Sequence, residues 1–296
     1  MGGVKEIKLC ANAKINLTLD IVGVRPDGYH LMDMVNKSIN LADEITLKRS
    51  AKDGIKITSN ARFLPRFEKN LAYKATMRLF EAAKLPLPNV EIDITKRIPT
   101  QAGLGGGSAD AAATMVRLNE LFSLGFSQSK LCEIGEAVGA DVPYCIVGGT
   151  AHVSGIGEII EPIKDKTDFC LVVLMPRDGR STKEAFSLFD SGTPCSRPDT
   201  KGMIDALAAG DNGRTAIQLC NVFQTISRDE TTEELVSLLL SNGALGASLT
   251  GSGAAVFGIF PDMFSAKKCK TKLFPSGLRA YVARSEKSGV KIVYKK

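Results

Sequence analysis

The sequence predicts an α/β protein in two domains, with strands and helices interleaved irregularly enough to be α+β. Three observations carry this. Val90, Ile92 and Ile94 alternate with polar residues, as in a strand, and Ala109, Ala112, Ala113 and Val116 then recur at helical spacing. Between these patterns lies a glycine-rich loop, with four glycines in the five residues 103–107. The 296 residues suffice for two domains of ordinary size, and the polar connector Pro162-Ile163-Lys164-Asp165-Lys166 marks a shift in composition. We therefore expect domains at 1–162 and 163–296.

The elements follow in order. Residues 5–22 read as a strand, with Lys14 and Asn16 side by side on one face. Pro26-Asp27-Gly28 is turn chemistry, and 31–49 returns as a strand. A turn at 51–54 and a short strand at 55–58 precede a helix at 70–85, which Pro86 and Pro88 end. Beyond the glycine loop and its helix, Ser127 N-caps a helix to Val138, and Gly155-Ile156-Gly157-Glu158 marks a hairpin. Phe169–Met175 is a buried strand and 192–200 a loop. Helical patterns cover 201–209, 214–228, 231–242 and 262–273. Residues 244–250 and 254–260 flank a second glycine loop, Gly251-Ser252-Gly253. Runs at 278–284 and 290–294 close the chain.

Composition narrows the function. A net charge of +6 suits phosphorylated ligands, but no basic stripe interleaves with aromatics, which argues against nucleic acid. Lys267, Lys268, Lys270 and Lys272 form one exposed helix face. The seven cysteines are widely spaced, with no Cys-x-x-Cys pair. That points to a reducing cytoplasm and away from a disulfide framework or a zinc site. No apolar run has the length of a membrane span. With two histidines, a His-based metal site or catalytic triad is poorly supplied.

Strand, glycine loop and helix together make an anion site. Glycines let the backbone approach a ligand closely, and the free N–H groups and dipole of the helix favour phosphate. The loop is neither a P-loop, for no lysine follows the glycines, nor a dinucleotide fingerprint, for Ser108 stands at the third glycine position. The run Pro99 to Ala113 instead resembles the nucleotide-binding motif of the GHMP kinases. Two further segments resemble that family's motifs in the same order: Ala11-Asn12-Ala13-Lys14-Ile15-Asn16-Leu17, and Ser248 to Gly258 around Gly251-Ser252-Gly253. The triple glycine and Ser108-Ala109-Asp110-Ala111-Ala112 are most similar to the branch whose acceptor is a cytidine-diphosphate-linked methylerythritol.

The resemblance implies a ribosomal protein S5 domain 2-like N-terminal domain that binds ATP and a ferredoxin-like C-terminal domain that binds substrate, with the active site between them. It implies phosphorylation of the acceptor's 2-hydroxyl, on the non-mevalonate route to isoprenoid precursors. Lys14 and Asp141, the latter in Gly139-Ala140-Asp141-Val142-Pro143, match catalytic positions. ATP would lie on Pro99, Gly103, Leu104, Gly105, Gly106, Gly107 and Ser108. Asn70 and Lys96 match base-contacting positions, with an N-cap and a solvated strand end as their alternatives. Mg²⁺ is expected with ATP and Ser108 as its ligand, although the family's second serine is here Ala109. For the acceptor, Asn16, Thr182, Gly251, Ser252 and Gly253 match binding positions. Tyr29 and Phe186 would sandwich the cytosine, and His30 would read its edge. The expected partner is this small molecule, with no nucleic acid and no membrane, for a monomer or homodimer. A homoserine or mevalonate type of GHMP kinase, or a non-catalytic nucleotide sensor, are the alternatives; a sensor would be expected to lose Lys14 or Asp141.

Overall fold

Two long antiparallel strands, β1 (Glu6–Val24) and β2 (His30–Arg49), run side by side along most of their length. The computed structural model describes residues 6–62, 65, 67–176, 179, 181–227 and 229–295; Lys5 and Arg228, at the ends of an expected strand and an expected helix, lie outside these. The turn between the strands closes on Arg25 N–H to Tyr29 O (2.7 Å) and Gly28 N–H to Arg25 O (2.9 Å), with Gly28 at φ 88°. Both faces of β1 are covered, for every residue from Ala11 to Ile21 is buried.

Then come β3 (Ile55–Ser59), α1 (Leu71–Ala82) and β4 (Val90–Thr95). β3 and β4 pair in parallel, which requires a crossover, and α1 supplies it. α2 (Gly106–Leu121) lies against α1, β1 and β2. Its buried Ala109, Ala111, Ala112 and Ala113 permit that close approach. α3 (Gln128–Glu136) starts on Ser127, whose Oγ accepts from Lys130 N–H. α4 (Val142–Val147) leads to the hairpin β5 (Thr150–Gly155) and β6 (Ile159–Pro162).

After the connector come β7 (Cys170–Met175), α5 (Thr182–Ser191), α6 (Thr200–Ala209), α7 (Asn212–Ile217), β8 (Cys220–Asn221), α8 (Val222–Ser227) and α9 (Glu230–Ser241). The chain ends with β9 (Gly246–Leu249), β10 (Val256–Phe260), α10 (Met263–Leu273), β11 (Arg279–Arg284) and β12 (Val290–Lys295).

Among the described residues there are two sheets. The first runs β12-β1-β2-β4-β3; β5 pairs with the other half of β2, β6 with β5, and β8 with β1. The second, β11-β7-β10-β9, is antiparallel and packed on by α9 and α10. β8 and β12, from beyond residue 162, thus hydrogen-bond to β1.

Two expectations are corrected. The helical pattern at 214–228 is broken by β8, because Asn221 pairs beside Leu19 of β1 and its side chain Oδ1 caps α8 at Phe223 N–H. α5 was not expected; its signal is Ser181, whose Oγ accepts from Glu184 N–H at 3.4 Å.

Candidate active site

Three segments far apart in sequence are hydrogen-bonded into one unit. Asn16 on β1 is its hub. Its Oδ1 accepts from Lys14 Nζ (2.9 Å) and Gly251 N–H (2.8 Å), and its own N–H donates to Thr250 Oγ1 (3.1 Å). The glycine loop is threaded between: Lys14 N–H donates to Leu104 O (3.0 Å) and Ala255 N–H to Ala102 O (3.2 Å). Gly103 sits so close to the third segment that a Cβ would lie 2.0 Å from Thr250 O. A Cβ on Gly105 would lie 3.0 Å from Lys14 Cγ, so the loop rests on the lysine stem. Asn221, which sequence reasoning missed, ties β8 to the same loop by donating to Leu249 O (3.0 Å) and Gly251 O (2.9 Å). A lone asparagine inside a helical pattern carries no local signal of that role.

Lys14 is 4% exposed, yet its charge has an open partner. Asp141 Oδ2 lies 3.8 Å from Lys14 Nζ, beyond hydrogen-bond range, and the aspartate side chain is 37% exposed. Asp141 occupies the N-cap position of α4 but makes no capping hydrogen bond, so its carboxylate is uncommitted. Both residues line a cavity of 510 Å³ together with Gln101, Thr182, Phe186, Phe223 and Gly251–Gly253. Ser252 Oγ donates to Thr182 Oγ1 (3.0 Å), joining the third segment to the start of α5. Asn16, expected at the acceptor, lines neither this cavity nor its neighbour; it is buried behind Lys14 and holds the lysine in place.

A second cavity, of 340 Å³, lies on the other side of the glycine loop. Asn70, Lys96, Pro99, Leu104, Gly106, Gly107 and Ser108 line it. Gly105, at φ 68°, is the N-cap of α2, and no side chain caps that end. The first N–H groups of α2 are therefore free for an anion. Asn70 takes its N-cap alternative: its Oδ1 accepts from Ala72 N–H (2.9 Å) and its Nδ2 donates to Pro65 O (3.2 Å). Lys96 is not solvated. Its Nζ bonds to Asp43 and to Asp110 Oδ2 (2.7 Å), while Asp110 Oδ1 is buried without a partner. Burial pushes the Asp110 carboxyl up from the ordinary carboxylate range, against the pull of Lys96.

The aromatic arrangement differs from expectation. Tyr29, 60% exposed at the tip of the β1–β2 hairpin, lines neither cavity. The ring against Phe186 is His30, with centroids 4.7 Å apart and planes tilted by 43°; Phe223 packs edge-on from the other direction at 5.0 Å. His30 is held there by Asp190, whose Oδ1 is 2.7 Å from His30 Nε2. Tyr29 and Phe186 thus do not face each other, because His30 fills the space beside Phe186.

The GHMP kinases N-terminal domain model matches residues 70–149, and the GHMP kinases C-terminal model matches 203–278. The chain is similar to the 4-diphosphocytidyl-2-C-methyl-D-erythritol kinase of Clostridium tetani, at 41% identity over 94% of this chain and 100% of that one. It is 36% identical to the enzyme of the same name from Alkaliphilus oremlandii, over 98% and 100%. A solved 4-(cytidine 5'-diphospho)-2C-methyl-D-erythritol kinase superposes with a TM-score of 0.79 at 27% identity, covering 94% of this chain and 99% of that chain. Homoserine kinase from Cytophaga hutchinsonii shares the fold, with a TM-score of 0.76 at 20% identity over 99% of both chains. Two family domains in chain order and relatives of full length mean that the chain belongs to the GHMP kinases, on the branch of these 4-diphosphocytidyl-2-C-methyl-D-erythritol kinases.

Proposed function

We propose that this chain transfers the γ-phosphoryl group of ATP to the 2-hydroxyl of 4-diphosphocytidyl-2-C-methyl-D-erythritol, a step towards isoprenoid precursors outside the mevalonate route. The observation that carries it is the open Lys14–Asp141 pair, lining one cavity while the uncapped end of α2 lines the next. Relatives of that name support the acceptor.

In this reading Asp141 accepts the proton of the acceptor hydroxyl, and Lys14 stabilises charge on the transferring group. The amides of Gly106, Gly107 and Ser108 hold the phosphates, and Pro99, Asn70 and the Lys96 segment wall the base. Phe186, in the lining of the acceptor cavity, would stack the cytosine, with His30 beside it to read the base edge, while Tyr29 stays outside the cavity on the hairpin. Thr182 and the Gly251–Gly253 loop hold the acceptor's phosphate-bearing arm. Residues 1–162 contribute chiefly to the nucleotide side and 163–296 to the acceptor side.

No cluster of three or more His, Cys, Asp or Glu side chains suited to a metal exists among the described residues. Magnesium takes few protein ligands beside phosphates and water, so such a cluster is not required. The Ser108 hydroxyl and the unpartnered Asp110 Oδ1 are oxygen donors beside the loop and fit such an ion. Bound with ATP, magnesium supplies charge neutralisation at the phosphates. No described helix is long and apolar enough to cross a membrane. The seven free cysteines suit a reducing cytoplasm.

The test is ADP release with three acceptors. Turnover is expected with the cytidine substrate and not with homoserine or mevalonate. Equal or faster turnover with either small acceptor would contradict the assignment.

A further inference from the structure

The nucleotide and acceptor cavities share three lining residues, Gln101, Gly103 and Gly105. Of these, only Gln101 has a side chain. It is held at φ 55°, in the left-handed region that glycine adopts freely and glutamine does not. The same loop uses glycine at its other positive-φ positions, Gly103 (φ 73°) and Gly105 (φ 68°). A strained glutamine at this point puts a side chain at the junction of the cavities, where the other two shared residues, Gly103 and Gly105, have none. That side chain lies against the backbone after β7: a Cβ on Gly179 would be 3.1 Å from Gln101 Oε1 and 3.4 Å from Gln101 Cβ. Among the described residues, no hydrogen bond engages the amide nitrogen.

We propose that Gln101 is a further substrate-contacting residue, whose amide N–H groups hydrogen-bond the γ-phosphoryl oxygens where that group leaves the nucleotide cavity for the acceptor. The inference rests on the kinase reading above. In the transfer, the acceptor oxygen bonds to the γ-phosphorus. The bond from that phosphorus to the β–γ bridging oxygen breaks, leaving its electron pair on ADP, and the hydroxyl proton passes to Asp141. Negative charge on the moving group is then shared between the free end of α2, Lys14 and whatever donor stands at the junction. Gln101 is that donor. Its amide is neutral, so it supports the transferring group without adding a charge that would hold ADP back. A donor of this kind matters most in the transition state, so its loss lowers kcat more than binding.

The experiment uses the full chain with ATP and the cytidine substrate, comparing wild type with Gln101→Gly and Gln101→Glu. Gln101→Gly relieves the backbone and is expected to melt at or above the wild-type temperature. Its kcat is expected to fall about 10²-fold, as for loss of one preorganised donor, with both KM values little changed. Gln101→Glu keeps the backbone cost and repels phosphate, so its kcat falls as well while its melting temperature holds. A Gln101→Gly enzyme with wild-type kcat overturns the inference. So does a fall in kcat that comes with a lowered melting temperature in that variant, the signature of a purely structural residue. A wild type inactive on the cytidine substrate overturns the kinase reading, and this inference with it; an active wild type beside an unaffected variant overturns this inference alone.

Discussion

Two buried lysines sit almost back to back on the β1–β2 hairpin, and their partners could hardly differ more. Lys37 stands opposite Ile15 and Lys14 opposite Ser38, so the two side chains leave opposite faces. Each is 4% exposed. Lys37 bonds to Asp165, a carboxylate as buried as the lysine, which also accepts from Thr150 Oγ1 (2.6 Å), Thr167 N–H (2.7 Å) and Thr167 Oγ1 (2.6 Å). Burial alone would raise the Asp165 pKa, but these donors outweigh it and hold it below the ordinary value. Lys14 has Asp141 at 3.8 Å, half open to a cavity, with no capping bond to restrain it. The closed pair has spent its hydrogen-bonding capacity on the connector after β6. The open pair has capacity left for a substrate. Burial is therefore the same for the two lysines; what differs is how completely the partner's hydrogen bonds are met.

That contrast can be broken most strongly at the closed pair. Lys37→Met strands a buried carboxylate and is expected to cost about 3–5 kcal/mol of stability. Its kcat, measured below its melting transition, should stay near wild type. The acid limb should change too. Because the Asp165 pKa is depressed in the folded state, its contribution is present above the unfolded Asp pKa and is lost as pH falls through the folded value. Denaturant melts from pH 7 downwards should show this loss in wild type and not in Lys37→Met.

At the open pair the effects should exchange. Lys14→Met is expected to lower kcat by about 10²–10³, as for removal of a charge-stabilising group. Its stability should change by less than about 1 kcal/mol, since Asp141 keeps its solvent and Asn16 keeps Gly251. A Lys14→Met enzyme that melts as early as Lys37→Met would erase the distinction.

A smaller effect is expected at the loop itself. Gly107 is exposed at the uncapped start of α2. Gly107→Asp places a negative charge where phosphates should lie, yet that charge suits the helix dipole. ATP affinity, read by calorimetry, should fall about tenfold or more, with stability held or raised. Unchanged affinity would argue against phosphate binding there.

The smallest effect belongs to a third and more open group, His152 with Asp33 and Glu161. His152 Nε2 lies 2.8 Å from Asp33 Oδ1, and its Nδ1 lies 3.2 Å from Glu161 Oε2. Burial opposes the charged ring, but the two carboxylates prevail and raise its pKa. A raised folded pKa means that the contribution is full below the unfolded His value and fades as pH rises through the folded one. His152→Gln should therefore lose under about 1 kcal/mol at pH 6 and less at pH 8.5, by denaturant melts.

How much of this could be read from the chain alone follows from the range of each interaction. The Lys14–Asn16 adjacency is set by strand period, so it was legible, as were the strand, loop and helix of the anion site. The break at Asn221 was not, because its pairing beside Leu19 of β1 and its bonds to Leu249 and Gly251 exist only in the fold. Lys96 reads as a base contact or a solvated strand end, because Asp43 and Asp110 reach it only in the fold. Gly106 looked like a phosphate-facing glycine, yet a Cβ there would lie 3.0 Å from Ile98 Cγ2, so valine at 106 would disturb the core as well as the ligand. The resemblance implies stacking between Tyr29 and Phe186, but which ring faces Phe186 depends on the His30–Asp190 contact across 160 residues. α5 was legible in principle, through its capping pair Ser181 and Glu184.

In the proposed mechanism the open carboxylate of Asp141 takes the acceptor's proton. The most direct test of that role is Asp141→Asn, which keeps the shape and removes the charge. Turnover of the cytidine substrate is expected to fall by about 10²–10⁴, as for loss of a general base, with ATP affinity and melting temperature close to wild type. A variant that turns over at the wild-type rate would contradict the account.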